Sequence, residues 1–153
     1  MMTKLLATFA FAVVTLAVEP QALKASDAQC PLLNATLHGT YVVSGSGTIV
    51  GVGNISAVGE HTWDGQGNTV ATYTASVNGT VYTGVMVTGT YSVNPDCTGS
   101  LAESDGSHYN FVVAPGGDTA TWIRTDAGFV VSGTEVRLRR HAIEHVVRIR
   151  PKE

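Results

Sequence analysis

Thr69-Val70-Ala71-Thr72-Tyr73-Thr74-Ala75-Ser76-Val77-Asn78-Gly79-Thr80-Val81-Tyr82-Thr83-Gly84-Val85-Met86-Val87-Thr88 is the stretch that decides the fold. Asn78-Gly79 sits between two runs rich in Val, Thr and Tyr, and both residues accept the positive φ that a type I′ hairpin turn demands. The flanking residues suit a pleated, half-buried surface, so Thr69 to Val77 and Thr80 to Thr88 read as paired strands. Outward from this hairpin, turn signals recur at short intervals: Asp64-Gly65-Gln66-Gly67-Asn68, Asn94-Pro95-Asp96, Ser104-Asp105-Gly106, Pro115-Gly116-Gly117-Asp118 and Asp126-Ala127-Gly128. Tyr109, Phe111 and Val113 share one face of their run, opposite Asn110 and Val112, which is the period of a strand. Helix is scarcely encoded before residue 140. The expected fold is therefore all-β: a single antiparallel up-and-down barrel of about eight strands, with its edges closed on each other. A two-sheet sandwich is the alternative.

The 153-residue chain divides by composition. Lys4 followed by an apolar run from Leu5 to Val18 and a small-residue stretch around Ala22, Ala25 and Ala28 has the form of a secretory signal peptide, too short to span a bilayer comfortably. Residues 1–25 are assigned to it, 26–36 to an N-terminal segment with Cys30, 37–139 to the barrel and 140–153 to a basic tail. The expected location is secreted or periplasmic. Export makes a disulfide between Cys30 and Cys97 the default, with two free thiols as the alternative. Residues 26–136 hold nine acids against Arg124 alone. An acidic body of this kind excludes a nucleic-acid-binding barrel, which needs a basic face for phosphate. Residues 137–153 hold six bases against Glu144 and Glu153, a surplus that suits contact with an anionic surface.

The runs Trp63-Asp64-Gly65-Gln66-Gly67-Asn68, Gly89-Thr90-Tyr91-Ser92-Val93-Asn94-Pro95-Asp96-Cys97-Thr98-Gly99 and Thr125-Asp126-Ala127-Gly128 carry a resemblance. The chain resembles small exported bacterial proteins similar to the allene oxide cyclase barrel group, over about residues 37 to 138. The resemblance implies an antiparallel barrel with a central cavity, related in shape to dirigent proteins and lipocalins. Its members include isomerising cyclases, cycloaddition catalysts and plain binders. The shared motifs are turns, which report architecture rather than chemistry, so no catalytic residue is carried over.

Arg124 shares a strand face with Trp122 and Ala120. A guanidinium turned inward there needs a carboxylate, from Glu60, Glu103, Glu135 or an anionic ligand; turned outward, it would be solvated and pair with Asp126. The expected binding residues are Arg124 and Trp122, with Tyr109, Phe111, Tyr73 and Tyr82 as aromatic wall. Glu60, Glu103 and His108 are the candidate catalytic groups, because a histidine with a carboxylate is the minimum kit for moving a proton. Glu60 and His61 are sequential and point to opposite faces, so only one of them can reach inward. His141-Ala142-Ile143-Glu144-His145 fits the H-x-x-E-H pattern of inverted zinc proteases, but a solvated tail is the reading preferred there and no metal is expected.

These features make the leading expectation an exported barrel that binds a small, largely apolar or amphipathic molecule, acidic at one end, without a cofactor. A cofactor-free cyclase or isomerase using the same cavity is the second expectation. An envelope-associated structural module is the third.

Overall fold

The computed structural model describes residues 29–139. After a short 3-10 turn at Leu33–Thr36 come eight strands: β1 (His38–Ile49), β2 (Gly53–Asp64), β3 (Asn68–Val77), β4 (Thr80–Val93), β5 (Thr98–Glu103), β6 (His108–Val113), β7 (Thr119–Arg124) and β8 (Phe129–Arg137). Each strand pairs antiparallel with the next and β8 returns to β1, closing the barrel. The all-β up-and-down barrel is thus the fold, and the sandwich is not. The assigned signal segment and the basic tail, with its H-x-x-E-H pattern, lie outside the described residues.

Local chemistry accounts for the register. Val77 pairs with Thr80 across the decisive hairpin, and Asn78 and Gly79 adopt φ of 47° and 88°. Farther along the same pair, Tyr73 faces Val85 whereas Ala75 faces Tyr82, so β4 carries one residue more than β3. That residue is absorbed as a bulge beside Gly84, whose φ of 64° favours glycine.

Strand length sets the shape of the two ends. β1 to β4 run for 12, 12, 10 and 14 residues, whereas β5, β6 and β7 have six each. β5 pairs with β4 only from Gly89 to Val93, so residues 80–88 of β4 rise above it. One wall of the barrel is tall and the other low, and the low rim ends on Glu103 and Arg124.

The opposite end is filled. Leu37, Tyr41, Trp63, Tyr91, Phe111 and Val113 form a continuous buried cluster with Cys30 and Cys97. Cys30 and Cys97 are joined by a disulfide, which fastens the N-terminal segment to the β4–β5 turn. Such a bond suits an oxidising compartment. Tyr41 is completely buried; its hydroxyl donates to the Gly117 carbonyl and accepts from Arg137 Nε at 2.9 Å and Nη2 at 2.8 Å. Arg137 Nη2 also donates to the Thr36 carbonyl at 3.0 Å. Arg137 is therefore part of the plug at this end, although by charge alone it groups with the basic tail.

Candidate functional site

Above the plug, the inward residues become small. Gly45 on β1, Ala57 on β2, and Ala71 and Ala75 on β3 leave space, and a cavity of about 120 Å³ opens there. Val43, Ile55, Leu101 and Val131 supply aliphatic wall, and Trp63, Tyr73, Tyr109, Phe111 and Trp122 supply rings. Besides Tyr73 and Tyr109, four ionisable side chains reach the same space: His61, Glu103, Arg124 and Glu135.

Trp122 is held in one place by what its neighbours lack. A Cβ on Gly45 would stand 2.3 Å from the indole ring, and one on Gly133 would stand 2.4 Å from it. The glycines on β1 and β8 let the ring lie flat across both strands, and Tyr109 meets it edge-on at 5.4 Å. This seating leaves the indole Nε1–H buried without a hydrogen-bond partner. A buried donor left unpaired costs about 1–3 kcal/mol.

His61, Trp63 and Glu135 form the polar part of the wall. Alternation along β2 turns His61 and Trp63 inward together, and their rings lie 4.2 Å apart. Glu135 on β8 accepts from His61 Nδ1 at 2.7 Å on one carboxylate oxygen and from Trp63 Nε1 at 2.9 Å on the other. All three are buried. Two charge-assisted hydrogen bonds offset the desolvation of the Glu135 carboxylate. In the neutral ring, the bond to Glu135 assigns the proton to Nδ1 and leaves the lone pair on His61 Nε2, a buried atom that has no partner.

The low rim carries the remaining charges. Arg124 Nε donates to Asp126 Oδ2 at 2.7 Å, and the guanidinium lies 3.6 Å over the Phe129 ring. Asp126 also accepts from the backbone and the ring of His108, and these bonds, with Arg124, hold its carboxyl well below the usual aspartate range. Burial pushes the Glu103 carboxyl above its ordinary value, with Asp105 and Glu135 adding to the rise and His61 and the Tyr109 hydroxyl opposing it. Burial also raises Tyr109 and Tyr73.

Of the residues expected from the sequence, Arg124, Trp122, Tyr109, Phe111, Tyr73 and Glu103 line the cavity. Three others stand outside it. Glu60 is exposed on the outer face, because β2 alternation gives the inward position to His61. His108 has a side chain 60% exposed, since its neighbour Tyr109 takes the inward side of β6. Tyr82 is 51% exposed on the part of β4 that rises above β5, where no facing strand covers it. The carboxylate that meets Arg124 is Asp126, two residues along, rather than Glu60, Glu103 or Glu135.

The residues that sequence reasoning passed over are His61 as the inward member of its pair, and Trp63 and Glu135 as its partners. Alternation carried on from Trp63, a large ring that belongs in a core, would have selected His61 over Glu60. Nothing local joins Glu135 to them, because that contact spans 74 residues of chain.

No family model matches the chain, and no curated protein matches it. Among solved structures, it is similar to a de novo designed fluorescence-activating β-barrel, with 15% identity and a TM-score of 0.43, over 67% of this chain and 94% of that one.

Proposed function

We propose that this barrel is an exported binding protein for a small, largely apolar molecule of about single-ring size that carries an uncharged polar group. The observation behind this reading is the cavity of about 120 Å³, walled by rings and aliphatic side chains with a few convergent polar atoms. An apolar cavity of roughly 150 Å³ is enough to take benzene. A longer molecule would have to project past the low rim.

Charge favours a neutral ligand over an anion. Arg124 already has Asp126, and Glu103 and Glu135 add acidic groups to the same wall. An acid would gain from Arg124 only at the mouth, where that ion pair competes for the guanidinium. The cyclase chemistry implied by the resemblance to the allene oxide cyclase barrel group needs room for a reactive polyene or epoxide, and a cavity of this size suits only a small one. The location rests on the Lys4 and Leu5-to-Val18 leader pattern together with the disulfide.

Tryptophan fluorescence tests the reading, because both tryptophans of the chain line the cavity. Titration with a matched neutral and anionic pair, such as benzaldehyde and benzoate, should give saturable quenching that is stronger for the neutral member. Ala57→Phe should abolish it. Quenching that survives Ala57→Phe, or that is absent for every small ring tried, contradicts the proposal.

A further inference from the structure

The apolar surface of the cavity continues above its low wall. β5 pairs with β4 only up to Gly89, and β7 pairs with β8 only as far as Ile123 opposite Ser132, so β1 to β4 and the start of β8 stand above the rim with no strand facing them. Cross-strand partners share a face of a sheet, and the register therefore says which residues of this upper wall look inward. Gly45, Ala57 and Ala75 line the cavity, and Tyr82 pairs with Ala75, so Tyr82 extends the cavity's own row across β4. One step higher, Gly47 pairs with Ile55 and Ile55 with Val77, which makes these the next row. Ile49, opposite Gly53, stands above them.

This upper face is apolar and half open. Ile49, Ile55 and Val77 are half-buried and Tyr82 is 51% exposed, although all four share the inward side of their strands. None of the inward positions in these rows on β1 to β4 carries a charged side chain. The charges of the mouth belong to the low rim, at Glu103 and Arg124, and Arg124 is held by Asp126 and lies over Phe129 at the start of β8. A contiguous apolar surface left wet in this way marks an interaction site. Continuity says what fills it: Ile55 and Ala75 belong both to the cavity wall and to the upper rows, so a molecule seated in the cavity runs onto this face as it leaves. A carboxylate or an ammonium would find no partner there.

We propose that the inner face of the tall wall, from Ile55 to Tyr82, is a second subsite that takes an unbranched hydrocarbon arm carried by the ring in the cavity. The ligand class is a neutral ring with one extended, uncharged arm. This rests on the binding reading above and adds to it the part of the molecule that passes the rim. The arm lies against Ile55, Val77 and Tyr82 on one side and meets water on the other, where β5 to β7 have already ended. One-sided cover gives about half the gain of full burial, so each methylene should tighten binding about twofold rather than about fourfold.

Tryptophan quenching by benzaldehyde, 4-butylbenzaldehyde and 4-heptylbenzaldehyde gives the affinities. In the wild type, Kd should fall roughly tenfold from the first to the second and roughly a hundredfold from the first to the third. Tyr82→Asp should take back about tenfold of that gain for the heptyl compound and leave benzaldehyde unchanged. Val81→Asp is the control, because Val81 is 61% exposed and alternates to the outer side of β4; it should match the wild type with every compound. If Tyr82→Asp does not fold by circular dichroism, Tyr82→Ser takes its place. An affinity that ignores the arm while benzaldehyde binds overturns this inference and leaves the binding reading standing. So does a gain that survives Tyr82→Asp in full, or one lost equally in Val81→Asp. A ligand-free dimer in sedimentation that Tyr82→Asp dissociates would assign the face to a second copy of the chain and overturn the inference as well. Absence of quenching by all of the compounds removes both readings.

Discussion

The two ends of this barrel follow the same strand alternation and reach opposite results. At the plugged end, inward positions hold Tyr41, Trp63, Tyr91, Phe111 and Val113, and the polar atoms of Tyr41 and Arg137 are matched to carbonyls and to each other. At the open end, inward positions hold Gly45, Ala57, Ala71 and Ala75, and Trp122 and His61 each retain an unmatched atom. The difference shows that a barrel is made hollow by residue size, not by topology.

The largest expected effect lies in the plug. Tyr41→Ala removes a completely buried ring and leaves the Gly117 carbonyl and the Arg137 donors without their partner, so it should cost about 4 kcal/mol in urea unfolding. An intact urea midpoint would mean that the plug does not carry the stability. Replacing Cys30 and Cys97 together with serine should lower stability by about 3 to 4 kcal/mol, because the disulfide closes a 67-residue separation. Reducing agent should reproduce this in the wild type.

A matched enlargement compares the two ends directly. Val113→Phe in the plug should destabilise by about 1–3 kcal/mol, the usual cost of overfilling a close-packed site. Ala57→Phe in the hollow end should change stability by less than about 1 kcal/mol, since the ring enters empty space. Equal costs at both positions would show that the cavity is not available as space.

The smallest effects concern pH and have opposite signs on the same rim. Glu103 has its carboxyl raised by burial, so the folded state holds that proton more tightly than the unfolded chain. Stability should therefore fall as pH rises from the ordinary glutamate value through the raised one, and Glu103→Gln should remove that loss. Asp126 has its carboxyl depressed by its bonds to His108 and Arg124, so its contribution is present above the ordinary aspartate value and disappears as pH falls through the depressed one. Asp126→Asn should flatten the acid limb only. Urea midpoints measured from strongly acidic to neutral pH separate the two.

How much of this was legible in the sequence follows from the range of each interaction. The Asn78-Gly79 turn and the alternation at Tyr109, Phe111 and Val113 are local, and they led to the barrel directly. Arg124 and Trp122 share a face by the same local rule, and they do line the cavity. Alternation alone could not say which face was inward, and this is how His108 and Glu60 came to be favoured over His61. Tyr82 was lost to the shortness of β5, which leaves it no facing strand and is not written in the residues around it. The His61–Glu135 contact needs β2 and β8 to face each other across the closed barrel, so only the fold could reveal it.

The central claim is that the hollow end is open space walled by rings that takes a small molecule, and the indole N–H resonances test it most directly. With only Trp63 and Trp122 in the chain, two signals are expected. Titration with benzaldehyde should shift both signals saturably, because both rings line the space that the molecule enters. Signals that both stay in place while benzaldehyde is shown to bind by its own resonances would contradict the account.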